Sequence, residues 1–157
     1  MNTADRSIAM IDTALRRRFD FFEMQPEPAI LAGIMVDGID IAAMLDTINR
    51  RITALLDREH TIGHSYLLPL KGDPTIENLA RIFENGIIPL LQEYFYDDYE
   101  KIQLVLGDNQ KPDDSTRFIV KKTDSAGLFG NADIDYPEYY VLNRGAFGRI
   151  DAYAFLQ

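Results

Sequence analysis

Asp40-Ile41-Ala42-Ala43-Met44-Leu45-Asp46-Thr47-Ile48-Asn49-Arg50-Arg51-Ile52-Thr53-Ala54-Leu55-Leu56-Asp57 is the stretch whose reading decides the fold. Its apolar residues Ile41, Met44, Leu45, Ile48, Ile52, Leu55 and Leu56 recur at helical spacing, the signature of one buried face on an α-helix. Asp40 is a natural N-cap, because its carboxylate can accept from the unpaired amides of the first turn. The class that follows is mainly α, with a minor β component.

Downstream, Gly63 interrupts, and Ile62-Gly63-His64-Ser65-Tyr66-Leu67 opens a short element. Asp73-Pro74 reads as an N-cap followed by proline at the first helical position. The helix it starts carries Ile76, Leu79, Ile82 and Phe83 on one side. It is expected to kink at Pro89, which has no amide to give residue 85, and to continue through Leu90, Leu91, Tyr94 and Phe95. A further helix from Asp98 to Leu106 ends at Gly107. Asp108 to Ser115 is polar and loop-like. Arg117–Lys122 and Tyr139–Leu142 are β-prone and are expected to pair across a glycine-rich excursion through Gly127, Gly130 and Pro137. Ala146 to Leu156 is expected to close the chain as a helix, with Phe147, Ile150, Tyr153 and Ala154 facing in.

Upstream, Ile30 to Ile39 contains Gly33 and Asp37-Gly38 and reads as a turn-containing connection. Gln25-Pro26-Glu27-Pro28 reads as a linker, since each proline disfavours helix in the residue before it. Phe19 to Met24 suits a strand, and residues 5–18 a helix with Ile8, Ile11 and Leu15 on one face and Thr3 or Asp5 as cap.

The chain has 157 residues, 46% of them apolar, which is enough for an ordinary core. A formal charge of −9 repels phosphate backbones, so direct DNA binding by this chain is not expected. It has no cysteine, which excludes thiolate metal sites and fits a reducing, cytoplasmic setting. No apolar run approaches the ~20 residues that cross a bilayer.

Arg16-Arg17-Arg18 is the strongest chemical feature. A guanidinium fork fits phosphate oxygens, and one offered in trans to a terminal phosphate can contribute a rate factor of about 10³ to 10⁵. The same three cations can instead complement the C-terminal dipole of a helix, for about 0.3 to 1 kcal/mol. Asn2, a neutral amide, could hold an attacking water or be an ordinary polar residue. Asp5, Arg6 and Asp12 alternate in charge on the first helix, as catalytic partners or as a solvated face. His64, Ser65 and Tyr66 follow a glycine and could line a pocket. His60 has no obvious carboxylate partner and no metal site is read. The acidic run Asp97-Asp98-Tyr99-Glu100 reads as a helix cap.

Several segments, in order, resemble McrB-type AAA+ GTPases of modification-dependent, 5-methylcytosine-specific restriction systems. They are Met1-Asn2-Thr3-Ala4-Asp5-Arg6-Ser7, Ala14-Leu15-Arg16-Arg17-Arg18-Phe19, Ile62-Gly63-His64-Ser65-Tyr66, Pro89-Leu90-Leu91-Gln92-Glu93-Tyr94-Phe95 and Leu106-Gly107-Asp108. The resemblance covers about residues 1 to 108. It implies that Asn2 is the sensor asparagine and that Asp5 belongs to a signature linked to guanine preference. It makes Arg6, Asp12, Arg17 and Arg18 charged residues that complete a neighbour's active site, Arg18 being the finger. It places His64, Ser65 and Tyr66 at the start of a lid helix, against nucleotide. It further implies GTP or ATP with Mg²⁺ in a complete protein, a ring of McrB-like subunits and a McrC-like nuclease partner.

The sequence contains no G-x-x-x-x-G-K-[ST] phosphate loop. This chain is therefore expected to bind no nucleotide alone and to be the C-terminal part of an AAA+ module, as a truncated reading frame or an excised piece. The expected divisions are 1–28, an AAA+ core remnant with finger helix and orphan strand; 29–108, a helical lid; and 109–157, a β-hairpin plus helix. The orphan strand's unpaired edge favours a homodimer. A competing reading is a non-enzymatic oligomerisation or adaptor module for a complete AAA+ paralogue, and a third is an independent acidic protein-binding domain.

Overall fold

The computed structural model describes residues 25–123 and 138–157. The helix expected over 5–18, the strand over 19–24 and the glycine-rich excursion lie outside the described residues.

After a 3₁₀ turn at Pro28–Leu31, a two-residue hairpin pairs β1 (Met35–Val36) with β2 (Ile39–Asp40). Asp37 and Gly38 both adopt positive φ, 46° and 93°, which is how a two-residue turn follows strand twist. Asp40 then caps α1 (Ile41–Leu55), its Oδ1 accepting from the amides of Ala42 and Ala43 at 2.9 and 3.2 Å. Ile41, Met44, Leu45, Ile48 and Ile52 are fully buried. Leu56, assigned to the same stripe by its spacing, is exposed, because the helix has ended and the backbone has turned away.

The next helix differs from expectation at its start and in its middle. Its cap is Thr75, whose hydroxyl accepts from the Asn78 amide, and Asp73 instead gives its carbonyl to Asn78 Nδ2. The helix runs as α2 (Ile76–Ile82), a π turn (Phe83–Ile87) and α3 (Ile88–Tyr94). The widened turn, closed by the Ile88 amide on the Phe83 carbonyl, is where the chain accommodates the donor missing at Pro89. It also brings Phe83, Ile87, Ile88 and Leu91 onto the buried side. Beyond α3 the amides of Tyr96 and Asp97 bond back to the carbonyls of Glu93 and Gln92, with Tyr96 at φ 51° and Asp97 at φ 58°. Asp98 caps α4 (Tyr99–Val105), which ends at Gly107 in the left-handed region, both as expected.

β3 (Ile119–Thr123) pairs antiparallel with β4 (Glu138–Leu142), Ile119 opposite Leu142 and Thr123 opposite Glu138. The expected closing helix is instead α5 (Arg144–Phe147) followed by a 3₁₀ segment, Ile150–Leu156. Its three-residue period buries Tyr153 and Leu156 and leaves Ala154 exposed, a correction to the helical spacing. Phe118 packs on Phe83, Phe147 and Tyr153 at centroid distances of 5.7, 5.1 and 5.0 Å. One hydrophobic cluster thus runs from Leu31 to Leu156, joining the helices to the C-terminal segment. Among the described residues no helix is long and apolar enough to cross a membrane.

Candidate functional site

The turn carrying His64, Ser65 and Tyr66 is held from below by a side chain of α1. Asn49 Nδ2 donates to the Ile62 carbonyl at 2.9 Å, and the Ile62 amide donates to Asn49 Oδ1 at 2.7 Å. A buried amide side chain thus pairs with both polar groups of a buried backbone unit, as a strand neighbour would. Gly63 then leads into a 3₁₀ turn, His64–Tyr66, and a second, Leu68–Lys71. This corrects the expected helix start: Pro69 and the buried Leu67 and Leu70 favour tight turns laid on the core.

The three residues are presented differently. His64 is half-buried, and its Nδ1 accepts from the Glu27 amide at 3.1 Å, so its proton resides on Nε2. Ser65 is exposed. Tyr66 is 39% exposed and lies over the π turn, where a methyl group on Gly86 would come 3.1 Å from its Cδ1. The absent Cβ at Gly86 is what lets the ring approach.

Tyr66 forms one wall of an open groove of roughly 270 Å³ whose other side includes Asn78, Arg81, Asn85 and Gly86. Arg81 is oriented by donating to Asn78 Oδ1 at 2.6 Å, and Asn85 Nδ2 donates to the Arg81 carbonyl at 3.1 Å. The groove therefore offers an aromatic ring, a guanidinium with further donors and an amide oxygen. That set can stack on a planar heterocycle and bind an oxyanion.

Beside this groove Tyr94 packs edge-on against His60 at 5.0 Å, and burial, with Tyr66 and Glu93 nearby, pushes its hydroxyl above the usual tyrosine range. His60 does have a carboxylate partner, contrary to the sequence reading. Asp57 Oδ1 lies 2.7 Å from its Nδ1, and that hydrogen bond holds Asp57 below the ordinary carboxylate range. Asp57 also accepts from the amides of Glu59 and His60, so the pair closes the turn after α1. Among the described residues no three metal-ligating side chains converge.

Asn2, Asp5, Arg6, Asp12, Arg17 and Arg18 lie outside the described residues. Sequence reasoning missed Asn49, Arg81 and Asn85. Asn49 did carry a signal, as a poor helix former standing on the apolar stripe one position after Ile48. Arg81 and Asn85 carried none, because the π turn creates their groove.

The comparisons place these helices. Residues 40–103 match the family model described as McrB, alpha-helical lid domain. The chain is similar to the Type IV methyl-directed restriction enzyme EcoKMcrB subunit of Escherichia coli (strain K12), 34% identical over 125 residues. That alignment takes in 66% of this chain and 26% of the relative's length. The matched segment contains Asn49, the His64–Tyr66 turn, the π turn and Pro89, and it stops within α4. The match over residues 40–103, with the sequence similarity to that subunit, identifies these helices as a McrB-type lid domain.

Proposed function

We propose that the chain is the C-terminal part of a McrB-like AAA+ NTPase, a GTPase, that works as a ring with a McrC-like nuclease in modification-dependent DNA restriction. In that ring the lid lies over Mg²⁺-bound GTP, or ATP, held by a phosphate loop on another part of the assembly. Arg17 and Arg18 stabilise charge on a neighbour's nucleotide, with Asn2, Arg6 and Asp12 completing the site and Asp5 in the guanine-linked signature. The observation that supports this reading is the matched lid, which carries Ser65 and Tyr66 on one exposed turn beside Arg81. Tyr66 supplies a stacking face and Arg81 a phosphate-binding fork. An adaptor that joins rings of a complete paralogue is the alternative, favoured by the charge of −9.

The test adds this chain to a McrB-type subunit that has its own phosphate loop and follows GTP hydrolysis. The chain is expected to change the rate, and Arg17→Ala or Arg18→Ala to remove most of that change. A changed rate that both variants preserve would favour the adaptor. An unchanged rate would leave only an independent binding domain. Calorimetric titration of the chain alone with magnesium and a non-hydrolysable GTP analogue is expected to show no binding.

A further inference from the structure

Among the described residues most cations have a partner. Lys101, Lys111, Arg117, Lys121 and Arg149 pair with carboxylates, and Arg51 donates to the carbonyls of Val105 and Phe155. Lys122 and Arg144 have no such partner among the described residues, and both are exposed at the same open groove of about 580 Å³. The groove lies between the β3–β4 hairpin and the turn at Asp114 and Ser115. Strand alternation builds its first wall. Val120 stands opposite Val141 and Lys122 opposite Tyr139, so these four share one side of the hairpin. Lys121 and Tyr140 take the other side, where Tyr140 stacks on Tyr99 of α4 at 5.7 Å. Gln103 of α4 also donates to the Ile119 carbonyl at 2.9 Å. The helix thus covers one side of the hairpin, and the valine side forms the groove. The facing turn is fixed: Asn143 Nδ2 donates to the Asp114 carbonyl at 2.8 Å, and the Ser115 amide donates to Asp113 Oδ1 at 2.7 Å. The carboxylate in the lining, Asp114, is already neutralised by Arg117 Nη1 at 2.8 Å.

We propose that this groove docks an acidic, apolar segment of a partner protein, its carboxylates held by Lys122 and Arg144 and an apolar side chain laid on Val120, Val141 and Leu142. Charge complementarity selects the occupant. Two uncompensated cations stand together in a chain whose formal charge is −9, and Arg144 offers a fork that fits a carboxylate where Lys122 offers a point charge. A nucleic-acid strand would meet the same cations, but the net charge of the chain repels it and the described lining has no aromatic ring on which a base would stack. A peptide that alternates carboxylates with apolar residues answers both the cations and the apolar wall. The groove lies beyond residue 103, where the match to the lid family ends, so this docking site does not rest on the nucleotide reading.

The experiment titrates the ¹⁵N-labelled full chain with a blocked synthetic peptide, Glu-Leu-Asp-Leu-Glu, and follows backbone amide shifts. The peptide is expected to move the amides of Val120, Lys122, Val141 and Arg144. Its neutral counterpart, Gln-Leu-Asn-Leu-Gln, and its polar counterpart, Glu-Ser-Asp-Ser-Glu, are each expected to bind on the order of tenfold more weakly. Lys122→Gln combined with Arg144→Gln is expected to weaken the acidic peptide by a similar factor, and added salt to do the same in wild type. Lys71→Gln, which removes an exposed cation outside the groove, is expected to leave the affinity unchanged. The spectra of the variants check that the fold is retained. No binding at millimolar peptide, shifts confined to other surfaces, or equal affinity in the double variant would each overturn the proposal. Tighter binding of a short oligothymidylate at the same residues would overturn it in favour of nucleic acid. None of these readouts involves GTP, so the docking site can fail while the lid reading stands, and the reverse.

Discussion

Asp108 and Lys111 lie 2.7 Å apart with both side chains fully buried. Asp108 follows Gly107, where φ is +68° and an added methyl would meet Arg51 Nη1 at 2.9 Å and the Phe155 carbonyl at 3.1 Å. Its two carboxylate oxygens accept from the amides of Phe118 and Ile119 at 3.0 and 2.9 Å, and Lys111 Nζ lies 3.7 Å over the Phe118 ring. The Leu106-Gly107-Asp108 segment thus fastens the entry to β3 onto α4. A buried pair contributes little net stability, but removing one partner strands a charge. Lys111→Met keeps the stem on Phe118 and is expected to cost about 3 to 5 kcal/mol in urea unfolding. Adding Asp108→Asn, which removes the stranded charge but keeps an acceptor for only one of the two amides, is expected to recover part of that loss. A Lys111→Met variant as stable as wild type would show that Asp108 needs no cation.

The same pair sets an alkaline pH dependence. Burial lowers the Lys111 ammonium to about 8, against the opposing attraction of Asp108. Unfolded, the lysine has its ordinary value of 10.5. Between those values the unfolded chain holds a proton that the folded chain has shed, so stability is expected to rise with pH across that window. Burial raises the Tyr153 hydroxyl, whose contribution is present below its ordinary value of 10.0 and is lost above it. Thermal midpoints are therefore expected to climb above about pH 8 and to fall once tyrosine ionises in the unfolded chain. Lys111→Met should remove the rising limb. Tyr153→Phe should soften the fall, at the expense of the hydroxyl bond to the Phe147 carbonyl.

Tyr96 occupies the position after a helix where glycine is the usual residue, at φ 51° and 91% exposed. Its side chain therefore gains little burial in exchange for a left-handed backbone that costs roughly 1 to 2 kcal/mol. Tyr96→Gly is expected to raise stability by about 1 kcal/mol in chemical unfolding, with the backbone bonds to Gln92 and Glu93 retained. A loss instead would show that the ring makes a contact worth more than the strain.

What was legible in the sequence follows from how local the cause is. α1 and α4 were readable because each carries its own cap, Asp40 and Asp98, and Gly107 ends the second. The β3–β4 pairing was readable from its β-branched and aromatic residues. The cap at Thr75 was misassigned to Asp73 because Pro74 suits either register, and the choice is made by Asn78, which reaches back to the Asp73 carbonyl. The 3₁₀ closure depends on Tyr153 finding Phe83 and Phe118, partners far away in sequence. At the site, adjacency in sequence made His64, Ser65 and Tyr66 visible together. The groove beside them exists only because the π turn carries Gly86 under Tyr66. Lys111 was hidden for the opposite reason: lysine is read as a surface residue unless its partner is known.

Asn49 offers the sharpest test of how the site is built. Its amide satisfies a donor and an acceptor of the buried Ile62. Asn49→Ala is expected to cost about 2 to 4 kcal/mol, the penalty for leaving two buried backbone groups unpaired. Asn49→Asp is nearly isosteric and keeps the acceptor for the Ile62 amide, but it sets a carboxylate oxygen against the Ile62 carbonyl. It is therefore expected to be at least as damaging as alanine near neutral pH and to recover as the carboxylate is protonated. Exchange of the Ile62 amide reads the local effect and urea unfolding the global one. If Asn49→Asp matched wild type near neutral pH, the donor half of the bond would be dispensable, and the turn bearing His64, Ser65 and Tyr66 would owe its place to Leu67 and Leu70 alone.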